Sequence, residues 1–168
     1  HAAEGFSIPS NRSAAVTTSP IVVPVDAQSM RIETDARTFY ADVLRRLKAA
    51  NIPFLLGGAF ALKHYAGVAR DTKDLDLFIR PPDWERVANL LSAAGYEVEL
   101  TFSHWLGKVK NGQHFTDFIF NSGNGCTPID DDWFFYAQET ELFGHRVKLV
   151  PPEECIWSKC FVMERERF

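Results

Sequence analysis

FLLGGAFALKHYAGVARDTKDLDLFI, residues 54–79, is the stretch that decides the fold. A short apolar run ends in Gly57 and Gly58, a helix-like segment follows, and a second apolar run opens with the alternation Asp-Leu-Asp. Residues two apart on a strand project from the same face, so Asp74 and Asp76 should lie side by side. Two carboxylates held next to a glycine turn suit a divalent metal that carries a phosphate chain. The stretch therefore predicts an enzyme of phosphate chemistry.

The two acids need a compensating cation. A buried strand rarely carries two acids on one face, because removing a carboxylate from water is costly unless a positive charge compensates it. In the predicted strand, residues 75–79, Phe78 shares the face of the two acids, and Leu75, Leu77 and Ile79 occupy the opposite face. The cation is either a metal ion or a basic side chain, with Arg70, Lys73 and Arg80 as the nearby basic candidates. We expect the metal.

A third acid, Asp117, is the only one in the aromatic stretch His114–Phe120. Asp117 either lies on an exposed strand face, or its negative charge needs a compensating cation, as the charges of Asp74 and Asp76 do. Three carboxylates from two strands can hold two Mg²⁺ or Mn²⁺ ions for in-line displacement at phosphorus. Gly57 and Gly58 suit the binding of the phosphate groups. Glycines allow a ligand to approach the backbone closely, and the amides at the start of a helix point at anionic oxygens.

The composition narrows the class of protein. With 168 residues, 46% of them hydrophobic, the chain can form one domain, or one domain plus a tail. A net charge of −4 with scattered Lys and Arg does not indicate broad binding to a nucleic-acid backbone. No apolar run reaches the roughly 18 residues of a membrane span. We therefore expect a protein that binds no membrane. Three cysteines without metal-type spacing indicate reduced thiols, so we also expect a cytoplasmic protein.

Three regions are predicted along the chain. Residues 1–30 are rich in Ser, Thr and Pro without periodicity, and we expect a flexible arm. Residues 31–150 form the catalytic core, in which strands and helices alternate and the later strands are antiparallel, giving a mixed sheet flanked by helices, an α/β (α+β) domain. Residues 151–168 start a C-terminal helical region. We expect its remainder to be missing from this chain or supplied by a partner chain.

Individual elements follow from local patterns. Apolar spacing predicts a helix from residue 34 to 50, and Gly67 closes a second one that begins at Gly58. Asp83 is expected to cap a third helix that runs to Ala94. Asn111-Gly112 predicts a hairpin. Strands are predicted at residues 54–56, 75–79, 96–101, 105–110 and 114–120, with a further pair over 140–150.

The order of these motifs resembles the DNA polymerase beta-like nucleotidyltransferase superfamily. The likeness rests on Gly57-Gly58, a short helix, and then RDTKDLD, residues 70–76, before an apolar strand. It covers roughly residues 35–160 and is closest to small bacterial nucleotidyltransferases. These include antibiotic-modifying enzymes and the toxins of abortive-infection toxin–antitoxin pairs. The resemblance implies the nucleotidyltransferase fold, with an NTP as co-substrate across the Gly-Gly turn.

The resemblance also implies roles for single residues. Asp74 and Asp76 would hold Mg²⁺, and Asp117 would complete a second metal site and help to activate the acceptor hydroxyl. The stretch 150–159 is similar to the helix that follows the core in these enzymes, where a lysine commonly reaches the nucleotide phosphates, and this implies that role for Lys159.

Two further residues, Arg70 and Thr72, precede the acids in a loop. They are expected to touch the triphosphate or to brace the acids.

The implied reaction transfers a nucleoside monophosphate from an NTP to an acceptor hydroxyl and releases pyrophosphate. The acceptor is a small molecule, a tRNA or a protein. The acidic run at residues 130–132 either starts a helix or attracts a basic substrate such as an aminoglycoside. The alternative function is a non-catalytic nucleotide- or partner-binding module on the same fold. A phosphohydrolase is disfavoured, since the expected spacing of His and Asp is missing.

Overall fold

The computed structural model describes residues 22–25, 30–69 and 71–156. Its helices are α1 (Thr34–Ala49), α2 (Gly58–Ala66), α3 (Trp84–Ala93) and α4 (Asp131–Phe135), with a 3-10 turn at Pro81–Asp83. Its strands are β1 (Leu55–Leu56), β2 (Asp74–Phe78), β3 (Glu97–Phe102), β4 (Leu106–Asn111), β5 (His114–Ile119), β6 (Gln138–Leu142) and β7 (His145–Leu149). Residues 152–156 are also helical.

In the described ranges the seven strands form one sheet in the order β3-β4-β5-β2-β1-β7-β6. Two pairs are parallel, β2 with β5 and β1 with β7, and the other four pairs are antiparallel. The sheet is therefore mixed, as predicted. The parallel pairing of β2 with β5 brings together two strands that lie far apart in the sequence.

The two faces of β2 enter different environments. Leu75, Leu77 and Ile79 are fully buried in the main core, which α1 and α3 help to form. Phe78, on the opposite face, packs into a smaller cluster with Trp133 of α4. This alternation confirms the predicted division of the strand, and it leaves the acids on the less covered face.

The first two helices lie where the apolar spacing and the glycine cap predicted them. The buried stripe of α1 runs through Phe39, Val43 and Leu47, at helical spacing. Helix α2 ends at Gly67, whose φ of 68° is the left-handed conformation typical of a glycine cap.

The predicted capping role of Asp83 is wrong. Asp83 does precede α3, but its carboxylate makes no cap hydrogen bond. It lies in a 3-10 turn with φ −82° and ψ −13°, whereas a capping side chain needs extended backbone. The buried carboxylate instead accepts hydrogen bonds from Arg80 and Arg86, at 3.2 and 2.8 Å.

A polar cluster ties α1 to the segment before β3. The carboxylate of Asp42 accepts hydrogen bonds from Tyr96, Arg46 and Arg45. Partial burial by itself raises the pKa of Asp42, but these three donors outweigh it and hold that pKa at about 2. Asp42 is therefore ionised in the folded protein throughout the neutral and mildly acidic range.

Part of the predicted N-terminal arm lies against the sheet. The amide of Val25 donates to Glu141 at 2.9 Å, and the hydroxyl of Thr140 donates to the carbonyl of Val23 at 2.6 Å. Residues 22–25 thus pair with β6 at the edge of the sheet. The boundaries of the three regions stay predictions, and residues 157–168 of the C-terminal region lie outside the described part. Among the described helices, none is long and apolar enough to cross a membrane.

Candidate active site

Three carboxylates converge at the start of β2. Asp76 lies directly opposite Asp117 of β5 in the parallel register, and Asp74 lies two residues earlier in β2, on the same face. Each of the three acids is partly exposed, and one carboxylate oxygen from each lies within 4.8 Å of the others. The parallel register creates this cluster, since a shift of one residue would move Asp117 to the opposite face.

The glycine turn fits tightly against these acids. The amide of Gly57 donates to the carbonyl of Asp76 at 3.0 Å. Gly58 has φ 56°, and a Cβ built on it would lie only 1.6 Å from Oδ2 of Asp76. A Cβ on Gly57 would lie 2.3 Å from the ring of Phe78. Neither position has room for a side chain, and Gly58 in addition has a backbone conformation that favours glycine.

Thr72 holds the first acid in place. It is only 6% exposed, and its hydroxyl lies 2.9 Å from the carbonyl oxygen of Asp74 and 2.8 Å from Oδ1 of the same residue. This geometry corresponds to the bracing role, one of the two roles expected for Thr72. Contact with the triphosphate stays a prediction.

Tyr40 is a site residue that the sequence analysis missed. Its phenol donates to the carbonyl of Lys73 at 2.8 Å and so fixes the backbone just before β2. Burial, followed by the negative charges of Asp74, Asp76 and Asp117, raises the pKa of Tyr40 well above its ordinary value. The phenol therefore keeps its proton and remains a donor. Tyr40 lies among the buried residues of α1, so the sequence pattern gave no sign of this contact.

Lys108 is the second missed residue. It lies opposite Asp117 in the β4–β5 hairpin, with Nζ 2.8 Å from Oδ1 of Asp117. The same Nζ lies 3.8 Å from the centroid of the Phe115 ring, in a cation–π contact. The predicted hairpin did not reveal it, because a two-residue turn at Asn111-Gly112 pairs residue 108 with residue 115. The observed turn lies at residues 112–113, and this shift by one residue brings Lys108 opposite Asp117.

The electrostatics around Asp117 favour a further cation. Burial raises the pKa of Asp117, the ammonium of Lys108 opposes that rise, and the charge of Asp74 adds to it. The net effect is a pKa above the ordinary value, the sign of a carboxylate whose negative charge is not fully compensated. Three carboxylates in this arrangement offer the hard oxygen ligands that Mg²⁺ prefers, so the residues present fit such an ion.

The structure describes some of the remaining candidate residues and not others. Arg70 and Lys159 are outside the described residues, so their roles stay predictions. Arg80, one of the basic alternatives, pairs with Asp83 and Asp131 instead. Asp130 accepts a hydrogen bond from the amide of Asp132 at 3.1 Å, the ordinary role of a helix N-cap.

An open cavity of about 440 Å³ lies at the far end of β2, lined by Arg80–Asp83 and Ile129–Asp131. Arg80 is six residues from Asp74, or about 20 Å along an extended strand. Phe78, which lies between Asp76 and Arg80 along the chain, stacks on Trp133 with ring centroids 5.8 Å apart. Of the acidic run, Asp130 and Asp131 thus line a space distinct from the three-acid cluster.

Similarity to known proteins is consistent with this geometry. A model of the aminoglycoside-2''-adenylyltransferase family matches residues 40–114, which include the glycine turn, Asp74, Asp76 and Lys108. No curated protein is similar enough in sequence to count as a match.

Solved structures share the fold at low sequence identity. TM1012 from Thermotoga maritima, assigned as a nucleotidyltransferase, is 13% identical with a TM-score of 0.61, covering 82% of this chain and 91% of that one. The antibiotic-resistance factor ANT(2'')-Ia is 19% identical with a TM-score of 0.61, over 80% and 75% of the two chains. The lincosamide antibiotic adenylyltransferase LnuA, solved with lincomycin, is 13% identical with a TM-score of 0.52, over 81% and 98%.

The predicted resemblance, fold class and class of enzyme are confirmed by these likenesses, since the matched family and the neighbours are nucleotidyltransferases. The chain has the nucleotidyltransferase fold, and over residues 40–114 it is similar to the aminoglycoside-2''-adenylyltransferases.

Proposed function

We propose that this chain is a Mg²⁺-dependent nucleotidyltransferase, which transfers a nucleoside monophosphate from an NTP to an acceptor hydroxyl and releases pyrophosphate. One observation carries the proposal: carboxylate oxygens of Asp74, Asp76 and Asp117 lie within 4.8 Å of one another. The glycine turn against Asp76 supports it, because this turn opens α2 and its amides can face a phosphate chain. The fold of the structural neighbours supports it as well.

In this proposal each residue has a defined task. Asp74 and Asp76 hold Mg²⁺, and Asp117 joins them as a further ligand. When bound, Mg²⁺ neutralises the charge that develops on the transferred phosphoryl group. Thr72 keeps the Asp74 carboxylate oriented, and Gly58 leaves room for that of Asp76.

Asp117 also accepts the proton of the acceptor hydroxyl. The acceptor oxygen forms its bond to the α-phosphorus as the bond to the bridging oxygen breaks, and pyrophosphate leaves with that oxygen. Asp117 is the acid that the neighbouring strand β5 contributes to the cluster, and a carboxylate positioned there can serve as the general base. On the resemblance alone, Arg70 and Lys159 contact the triphosphate.

We propose ATP as the donor and a small hydroxylated compound of the aminoglycoside class as the first acceptor to test. The matched family is one of aminoglycoside adenylyltransferases, and one ANT(2'')-Ia structure contains adenylyl-2''-tobramycin. LnuA binds lincomycin, so lincosamides belong in the same panel. A tRNA and a protein are the other acceptors to be tested. A bacterial source, a toxin–antitoxin role and a cytoplasmic location stay predictions.

The first experiment measures thermal stability with each of the four NTPs, in Mg²⁺ and in EDTA. A ligand that binds the native state stabilises it, so one NTP should raise Tm by several degrees only when Mg²⁺ is present. Pyrophosphate release is then followed with that NTP and the acceptor panel.

Single substitutions test the acids directly. Asp74→Asn and Asp76→Asn should abolish transfer while the fold remains intact. Glu85→Gln, which removes an exposed carboxylate of α3 outside the cluster, is the control and should leave transfer unchanged. Retained transfer in either of the first two variants refutes the assignment. A Mg²⁺-dependent NTP shift without pyrophosphate release from any acceptor would favour the alternative, a nucleotide-binding module without turnover.

A further inference from the structure

Lys108 is held from two sides within the three-acid cluster. Its Nζ lies 2.8 Å from Oδ1 of Asp117, and the face of the Phe115 ring lies 3.8 Å from the same atom. The side chains of Lys108 and Asp117 are only 21% and 16% exposed. The ammonium is therefore fixed beside the acid, unlike a surface lysine, which samples many positions in water.

The pairing register explains why this lysine reaches the site. Lys108 and Asp117 are directly opposed on β4 and β5, and Asp117 is directly opposed to Asp76 on β2. The three side chains form one row across three neighbouring strands. An ammonium thus lies at one end of the row and the acids of β2 at the other, with Asp117 between them.

A cation at this position competes with a metal ion. A Mg²⁺ or Mn²⁺ ion bound to Asp117 would lie about 2.1 Å from a carboxylate oxygen, close to an ammonium that already contacts the same carboxylate. Two like charges this close repel each other strongly in a partly buried site. Either the ammonium moves away or the ion binds weakly.

We propose that Lys108 is a built-in counter-ion of Asp117 that fills the second cation position until a nucleotide arrives. This inference rests on the proposed metal site. Without nucleotide the protein then takes up no more than one divalent ion, at Asp74 and Asp76. The negative charge of a triphosphate draws in the second ion and offers the displaced ammonium a new anionic partner.

The test counts Mn²⁺ ions per chain by electron paramagnetic resonance, first in the unaltered protein. We expect no more than one bound ion without nucleotide and two with a non-hydrolysable NTP analogue. Two ions bound without nucleotide would overturn the inference and leave the proposed metal site standing. No Mn²⁺ bound under either condition would overturn the metal site and the inference together.

Lys108→Met provides the second arm. Removing the ammonium should allow two Mn²⁺ ions without nucleotide, or tighten Mn²⁺ binding by about tenfold or more. Lys110→Met is the matched control: it removes the same charge from the same strand, but Lys110 contacts Glu97 and Glu99 rather than the acid cluster. Unchanged Mn²⁺ binding in Lys108→Met, or an equal change in Lys110→Met, would refute the role of Lys108.

Discussion

Gly58→Ala should disrupt the acid cluster through a contact that is visible only in the folded structure. A Cβ at residue 58 would lie 1.6 Å from Oδ2 of Asp76, whereas ordinary contact begins at 3.4 Å. The carboxylate oxygen has to withdraw by the difference, about 1.8 Å. A displacement of about 1 Å in a reacting constellation can reduce a rate about 100-fold, so we expect at least about a 100-fold loss of transfer.

The same substitution should lower stability by two separate routes. The left-handed φ of 56° costs a residue with a Cβ about 1–2 kcal/mol. Crowding against Asp76 adds about 1–3 kcal/mol. At roughly 3 °C per kcal/mol for a chain of this size, Tm in EDTA should fall by about 6–15 °C.

Gly67→Ala separates the two routes. Gly67 has a similar φ, 68°, but nothing lies within 4 Å of a Cβ at that position. Its Tm should fall by only about 3–6 °C, and transfer should persist. Thermal unfolding in EDTA and initial rates of pyrophosphate release measure both effects. If Gly58→Ala lost no more stability than Gly67→Ala, or kept a tenth of the wild-type rate, the described contact with Asp76 would be wrong.

Three further outcomes are expected. Thr72→Val should lower stability by about 1 kcal/mol and slow transfer at least tenfold because Asp74 loses its brace, while Thr72→Ser should restore both in thermal and rate assays. The pKa of Asp42 lies near 2, below its ordinary 3.8, so its stabilising effect is full above about pH 4 and is lost as the pH falls towards 2. Urea unfolding at pH 7 and pH 3 should therefore show a smaller pH dependence for Asp42→Asn than for the wild type, and an equal dependence would contradict the cause assigned. Tyr40→Phe should lower Tm by about 2–4 °C, because the partly buried hydrogen bond to the carbonyl of Lys73 is lost, and an unchanged Tm would exclude that hydrogen bond.

Local patterns accounted for most of the element positions. The glycine cap of α2, the apolar stripe of α1 and the hairpin before β5 depend on residues close in sequence, and the structure places all three as predicted, apart from the shift of the hairpin turn by one residue. The exception was Asp83, where an Asp before a helix was assigned a cap. Two arginines within three residues compete for its carboxylate, and the 3-10 turn gives it the wrong backbone conformation.

The sequence by itself determined that Asp74 and Asp76 share a face, because the period of a strand is two, and that a glycine pair precedes them. Only the tertiary structure decided that Asp117 lies opposite Asp76 and that Gly58 leaves room for the Asp76 carboxylate. It also decided that Lys108 neutralises part of the charge of the cluster. Such contacts join residues far apart along the chain, and they depend on which strands pair, in which register and against which helices. That choice is made by the burial of the whole core, and no local pattern contains it.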